Sequence, residues 1–181
     1  HGLALIEGGV VISEEGKLTR YDSNFENPTI LIEGIPSKNH QTNAINLLPN
    51  GTLIWHSGST CNHCEEDDSR NGALLWVNAT TGEHGILATG VRNSFDGIWV
   101  ENLGYLFSDN GQDAEGEDFP NEEINLLVEG ADYGWLTESV DDPTPNGTEA
   151  PVAVWRPHTS VNGMTTKPAN LPGNEYTVYA T

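Results

Sequence analysis

The stretch that decides the fold is Gly2–Tyr21, GLALIEGGVVISEEGKLTRY. Its apolar residues come in short runs broken at Gly8-Gly9 and Glu15-Gly16, with no helical period linking them. Runs of this kind between glycine turns predict three short antiparallel strands. The phrase returns in Ala44–Gly58, AINLLPNGTLIWHSG, turning at Pro49-Asn50-Gly51, and in Asp96–Gly111, DGIWVENLGYLFSDNG, turning at Asn102-Leu103-Gly104. Leu3, Ile45 and Ile98 mark unit starts 42 and 53 residues apart, and Met164 opens a possible fourth unit 66 residues on. Strand–turn–strand repeats at about 40–50 residues are the signature of propeller blades. The expected fold class is all-β, a partial β-propeller of roughly three to four blades. Residues 1–181 are expected to form a single domain with an incomplete ring. Open ends would bare sheet edges, so the remaining blades are expected from further chain or from another subunit. The chain starts at His1 with neither an initiator Met nor a signal-peptide pattern, which reads as a processed chain or a fragment.

Composition narrows the function classes. Seven Lys plus Arg stand against 27 Asp plus Glu, a formal net charge of −20. Such a surface repels phosphate backbones and anionic lipid, so no nucleic-acid partner is expected. No run of apolar residues reaches spanning length, so no membrane insertion is expected. Abundant carboxylates suit either a solvated acidic surface or hard-cation binding. Three sequons, at Asn50, Asn78 and Asn146, and an even cysteine count point to a secreted glycoprotein, extracellular or periplasmic.

Four polar stretches are candidates for chemistry. Ser37–Asn43 (SKNHQTN) carries a histidine just before a unit-opening strand, and Gly90–Val100 (GVRNSFDGIWV) carries Arg92-Asn93 just before another. Phe107–Trp135 is an acidic loop region of the kind that binds cations. His56–Asp68 (HSGSTCNHCEEDD) holds both cysteines. On residue types alone the last is a metal site, a redox switch or a stapled loop. Zinc would want a second cysteine pair, and Glu65 stands where haem attachment needs a histidine. His84 and His158 read as turn or loop residues, and Trp55, Trp76, Trp99 and Trp155 as core or inter-blade packing.

In order and spacing these stretches resemble the soluble sugar dehydrogenases that depend on pyrroloquinoline quinone (PQQ), the glucose, aldose and L-sorbosone dehydrogenase group. The likeness is strongest to the L-sorbosone dehydrogenase-like branch. It rests on Lys38-Asn39-His40, Ser59-Thr60-Cys61-Asn62-His63-Cys64, Gly90-Val91-Arg92-Asn93, Asp109-Asn110-Gly111-Gln112-Asp113, Pro120-Asn121-Glu122-Glu123-Ile124-Asn125 and Tyr133-Gly134-Trp135, and it runs from about Gly2 to Thr181. The resemblance implies a six-bladed propeller that oxidises an aldose or sugar aldehyde with PQQ and calcium. It implies His40 as general base and Arg92 as the cation that stabilises charge on the reduced quinone. Asn39, Gln41, Asn93, Asn110, Gly111 and Gln112 would line the cofactor. The carbonyls of Gly111 and Gln112 would hold one calcium, and Glu123 with the Tyr133 backbone a second. It also places Cys61 and Cys64 in a loop near the cofactor face, implying a local disulfide, with the acids after it solvated. The implied partner is a small sugar. The alternative is a non-catalytic extracellular propeller serving as a binding or assembly module, which the acidity and the few basic partners for an anionic cofactor would suit.

Overall fold

The computed structural model describes residues 2–40, 42–167 and 177–181. The first unit is β1 (Leu3–Ile6), β2 (Gly9–Glu14), β3 (Lys17–Asp22) and β4 (Thr29–Ile32). The second is β5 (Thr42–Leu47), β6 (Thr52–Ser57), β7 (Ala73–Asn78) and β8 (His84–Thr89). The third is β9 (Gly97–Val100), β10 (Gly104–Asp109), β11 (Glu122–Leu126) and β12 (Ala153–Trp155). Each forms a four-stranded antiparallel meander in chain order. β13 (Met164–Thr166) and β14 (Val178–Ala180) form a two-stranded sheet that starts the next unit. The chain is therefore all-β, three blades and part of a fourth, with no helix among the described residues.

Why the sheets stack is legible in β6 and β7. Their sequences, TLIWHS and ALLWVN, are nearly continuous apolar runs rather than alternating ones. A strand of that composition must bury both faces. Leu53, Trp55, Leu75 and Val77 pack with Ala4, Val11, Leu18 and Ile32 of the first blade. Their neighbours Ile54 and Leu74 point the other way, against Tyr105 and Phe107 of the third blade. Val100, Leu106 and Ile124 then receive Met164 and Val178 of the next sheet. Trp55 Nε1 donates to Ser13 Oγ at 2.8 Å, so even the core tryptophan ties one blade to the previous one.

Three sequence expectations change in detail. Ile45 faces the first blade, whereas Ile98 packs towards the fourth sheet, so the two unit starts differ by one residue in register. A one-residue step reverses the face of every side chain, which repeat spacing alone does not reveal. Of the tryptophans expected in packing, only Trp55 is buried; Trp76, Trp99 and Trp155 are 36–39% exposed, Trp76 on the inner strand β7 beside Gly85, and Trp99 and Trp155 on the edge strands β9 and β12. His84 opens β8 rather than sitting in a turn.

A polar network runs through the second blade–third blade interface. The buried His56 meets Tyr105 Oη through Nε2 at 2.6 Å and Ser94 Oγ through Nδ1 at 2.8 Å. The Tyr105 hydroxyl donates to Asn46 Oδ1 at 2.6 Å, and its ring passes directly over Gly97, where any Cβ would collide with it. Burial alone pushes the His56 pKa down to about 3, so the ring is neutral throughout the ordinary pH range. Replacing His56 with Leu removes the donor to Tyr105 while keeping the bulk. We expect a loss of about 1–3 kcal/mol, seen as a lower denaturation midpoint at unchanged slope. An unmoved midpoint would show the network to be energetically idle.

Candidate functional site

In an antiparallel meander every connection that follows an even-numbered strand emerges at the same face. Among them are the segments after Ile32, Ser57, Thr89 and Asp109, which carry His40, the cysteine loop, Arg92-Asn93 and Asn110–Gln112. The backbone laces them side by side. Asn39 N donates to Thr60 O at 3.3 Å, His40 N to Ser59 O at 3.1 Å and Ser59 N to Arg92 O at 2.8 Å. Arg92 N and Asn93 N both donate to the buried Asp109 carboxylate, at 2.9 and 2.8 Å. The Tyr133-Gly134-Trp135 segment joins them from the long β11–β12 connection by running parallel to the end of β8. There Tyr133 N donates to Thr89 O and Trp135 N to Gly90 O, each at 3.0 Å. Gly90 has φ +71°, and a Cβ there would strike Asp132, so only glycine admits this approach.

His40 is half-buried, with Nδ1 2.7 Å from Ser59 Oγ. Its pKa falls to about 4, chiefly because burial disfavours the charged ring, with Arg92 adding like-charge repulsion. The imidazole is therefore a neutral base at ordinary pH.

Arg92 is 4% exposed, and all five of its donors are engaged by the protein. Nε donates to Asn62 O at 3.1 Å, and Nη1 to Asn110 O at 3.2 Å and Gly111 O at 2.6 Å. Nη2 donates to Asn62 Oδ1 at 2.7 Å and Asp113 Oδ2 at 3.0 Å. The guanidinium thus pins the Cys61–Cys64 loop to the Asn110–Asp113 loop. Asn62 reinforces the joint, donating to Asp113 O at 2.9 Å while accepting from Asp113 N at 2.9 Å. Asn110 and Gln112 are buried, and Asn110 Oδ1 and Gln112 Oε1 have no hydrogen-bond partner among the described residues.

Beneath this joint lies a small cavity of about 10 Å³ lined by Arg92, Asp109, Gly111, Glu123, Tyr133, Trp135 and Glu138. Burial raises the pKa of Asp109 to about 8, of Glu123 to about 7 and of Glu138 to about 8. Neighbouring carboxylates add to each shift, Glu123 for Asp109 and both of those for Glu138. Glu123 and Tyr133, paired in the sequence argument, line one void, and Asp109 and Glu138 join them. In the sequence Asp109 stood only as the opening of a motif, with no role assigned, and nothing ranked Glu138 above its many acidic neighbours.

Cys61 and Cys64 are bonded, with Cα atoms 6.1 Å apart. Cys61, Cys64 and Glu66 form the one cluster at ligand distance among the described residues, and the disulfide consumes both its sulfurs. The acids that follow are not all merely solvated. Glu66 accepts from Thr60 N at 2.6 Å and Thr60 Oγ1 at 2.8 Å, and Asp68 pairs with Arg70 at 2.6 Å. Gln41 lies outside the described residues. Asn50, Asn78 and Asn146 are exposed, Asn50 in the β5–β6 turn and Asn78 at the end of β7, both at the face opposite the site.

The fold matches solved sugar dehydrogenases. One is the PQQ-bound aldose sugar dehydrogenase from Streptomyces coelicolor, at TM-score 0.70 and 22% identity over 86% of this chain and 53% of that one. A putative oxidoreductase (glucose dehydrogenase) from Thermus thermophilus matches at TM-score 0.67 and 21% identity, over 85% of this chain and 56% of that one. The soluble aldose sugar dehydrogenase from Escherichia coli, in its apo form, matches at 0.69 and 16%, over 95% and 57%. The chain spans about half the length of these structures. An uncharacterised protein of Borreliella burgdorferi is 40% identical over 82 residues, 44% of this chain and 21% of that protein. No protein-family model matches.

The buried acids set a direction for stability. Between about pH 4 and about 8 these three acids hold protons in the folded chain that they release on unfolding, while His40 and His56 pull the other way below about pH 6.5, so the net fall in stability as pH rises is concentrated between about pH 6.5 and 8. Without added divalent ions the melting temperature should be lower at about pH 8.5 than at about pH 5. Glu138→Gln should raise it at the alkaline end and leave the acid end unchanged. A flat profile in both proteins would contradict the assigned burial.

Proposed function

We propose that the protein carrying this chain is a PQQ- and calcium-dependent dehydrogenase acting on an aldose or a sugar aldehyde of the sorbosone type. The observation that carries the proposal is the convergence of His40, Arg92-Asn93 and Asn110–Gln112 on one face of the blades, in loops bonded to one another. His40 is neutral down to about pH 4 and half-exposed at that face, so it can take the proton of the sugar C1 hydroxyl as the C1–H bond breaks. Bound PQQ would supply the acceptor for the two electrons and the hydrogen leaving with them. Asn39, Gln41, Asn93 and Asn110 would orient the reacting groups through neutral amide contacts.

The fit of the two implied groups differs from place to place. A hard cation would relieve the burial of unneutralised Asp109, Glu123 and Glu138, but their oxygens do not stand at mutual ligand distance, so binding would have to draw them together beside the Tyr133 backbone. The carbonyl of Gly111 suits it less, because the Arg92 guanidinium already occupies that oxygen. A direct contact from Arg92 to a quinone would require one of its five protein bonds to be given up. That saturation favours the second reading, a non-catalytic extracellular propeller in which Arg92 is purely a loop clamp. The remaining blades, from further chain or another subunit, would cover the face of the first blade where Leu3 and Leu5 are 62% and 71% exposed. Exposed sequons and the disulfide support a secreted, glycosylated protein.

Reconstitution with PQQ and excess calcium should give aldose-dependent reduction of an artificial electron acceptor. His40→Ala should lower kcat on the order of 10²–10⁴-fold while leaving PQQ binding intact. The acid limb of the rate profile should fall near pH 4 rather than at an ordinary histidine pKa. Absence of both turnover and PQQ binding across aldoses and sorbosone-like substrates would sink the dehydrogenase in favour of the binding module. Separately, calcium should raise the melting temperature of the metal-free chain, and Glu123→Gln should remove most of that rise. An equal rise in the variant would place the cation elsewhere.

A further inference from the structure

We infer that Ser59 is a positioning residue that fixes His40 in the tautomer with the proton on Nδ1, leaving Nε2 as the lone-pair nitrogen. The inference rests on the reading of His40 as a base. It says how this chain prepares that base.

The argument follows one proton. Ser59 Oγ lies 2.7 Å from the Cys61 carbonyl, which can only accept, so the hydroxyl proton is committed there. Ser59 Oγ also lies 2.7 Å from His40 Nδ1, and with its proton used it can only accept from that nitrogen. Nδ1 must therefore carry hydrogen, and a neutral ring then has its free pair on Nε2. Ser59 is fully buried, so water does not compete for either bond.

The chain holds the Cys61 carbonyl still from several sides. Asn62, the next residue within the disulfide ring, accepts from Arg92 Nε at 3.1 Å and Trp135 Nε1 at 3.3 Å through its own carbonyl. Thr60, on the other side, is held by Glu66 through two bonds. Ser59 itself is fixed by its backbone, which accepts from His40 N and donates to Arg92 O. The short disulfide ring is thus the fixed end of the relay, and Ser59 is the link that transmits its orientation to the imidazole.

The same reasoning applied to His56 gives the opposite answer and supplies an internal control. Asn46 Nδ2 points to the Asp96 carboxylate at 3.5 Å, so Asn46 Oδ1 is the oxygen that accepts from the Tyr105 hydroxyl. Tyr105 then accepts from His56, which places the proton on Nε2 of that ring.

The test is long-range ¹H–¹⁵N correlation of the side chains of the ¹⁵N-labelled chain at about pH 7, where both rings are neutral. Signals are assigned by His40→Gln and His56→Gln. The expected result is an unprotonated Nε2 in His40 and a protonated Nε2 in His56. Ser59→Ala should abolish the His40 preference and let the Nε2-protonated form appear, leaving His56 unchanged. Ser59→Thr, which keeps the hydroxyl, should restore the wild-type pattern. A wild-type His40 protonated on Nε2, or a tautomer unmoved by Ser59→Ala in a chain that still folds by near-ultraviolet circular dichroism, overturns the inference. Should Ser59→Ala fail to fold, the wild-type spectrum alone still decides. Because the readout needs neither PQQ nor turnover, an inactive protein with the expected tautomer fails the function while sparing this assignment, and an active one with the other tautomer does the reverse.

Discussion

The burial of both faces of the inner strands is the constraint on which the rest of the structure depends. β6 and β7 bury Leu53, Trp55, Leu75 and Val77 on one side and Ile54 and Leu74 on the other. A sheet apolar on both faces has no stable existence alone and must be sandwiched. Stacking blade on blade satisfies it, and the right-handed twist of each sheet turns the stack about an axis. Because each blade is a simple meander, stacking also gathers alternate connections at one face. The site is a consequence of that topology before it is a matter of any side chain.

At that face the interactions are mostly polar and local, and they form a continuous lattice. Asp109 holds the Arg92 loop by two backbone donors, Arg92 holds the cysteine loop, and the cysteine loop holds Ser59 and through it His40. The ion pair of buried Arg92 with Asp113 adds little by itself, since Asp113 is 74% exposed and screened by water. What fixes the guanidinium is the planar fork meeting four further oxygens at once. Lysine, with a single charged nitrogen, would not reproduce it.

Much of this was legible in the sequence. The unit starts at Leu3, Ile45, Ile98 and Met164 each fall in or at the opening strand of a sheet. The motif loops named for chemistry are the loops that converge. The outer strands β4, β8 and β12 carried weaker signals, because an edge strand such as Ala153–Trp155 needs only one partner and tolerates exposed side chains. Ser59 and Asp109 were visible only as parts of motifs, and Glu138 was indistinguishable from the other acids of a strongly acidic chain.

Sequence by itself determined the strand–turn rhythm, the blade class and the residue types available for acid–base and cation chemistry, because those follow from local pattern and side-chain chemistry. Tertiary structure alone decided the direction of Arg92, the partner of His40 and the grouping of Asp109, Glu123 and Glu138. Each of those depends on contacts between separate segments, such as Asn62 with Arg92 or Asn62 with Asp113. Pattern can place a donor in a loop. Only the packing of neighbouring loops determines which acceptor lies at the end of its bond, and with it whether that donor faces a ligand or the protein.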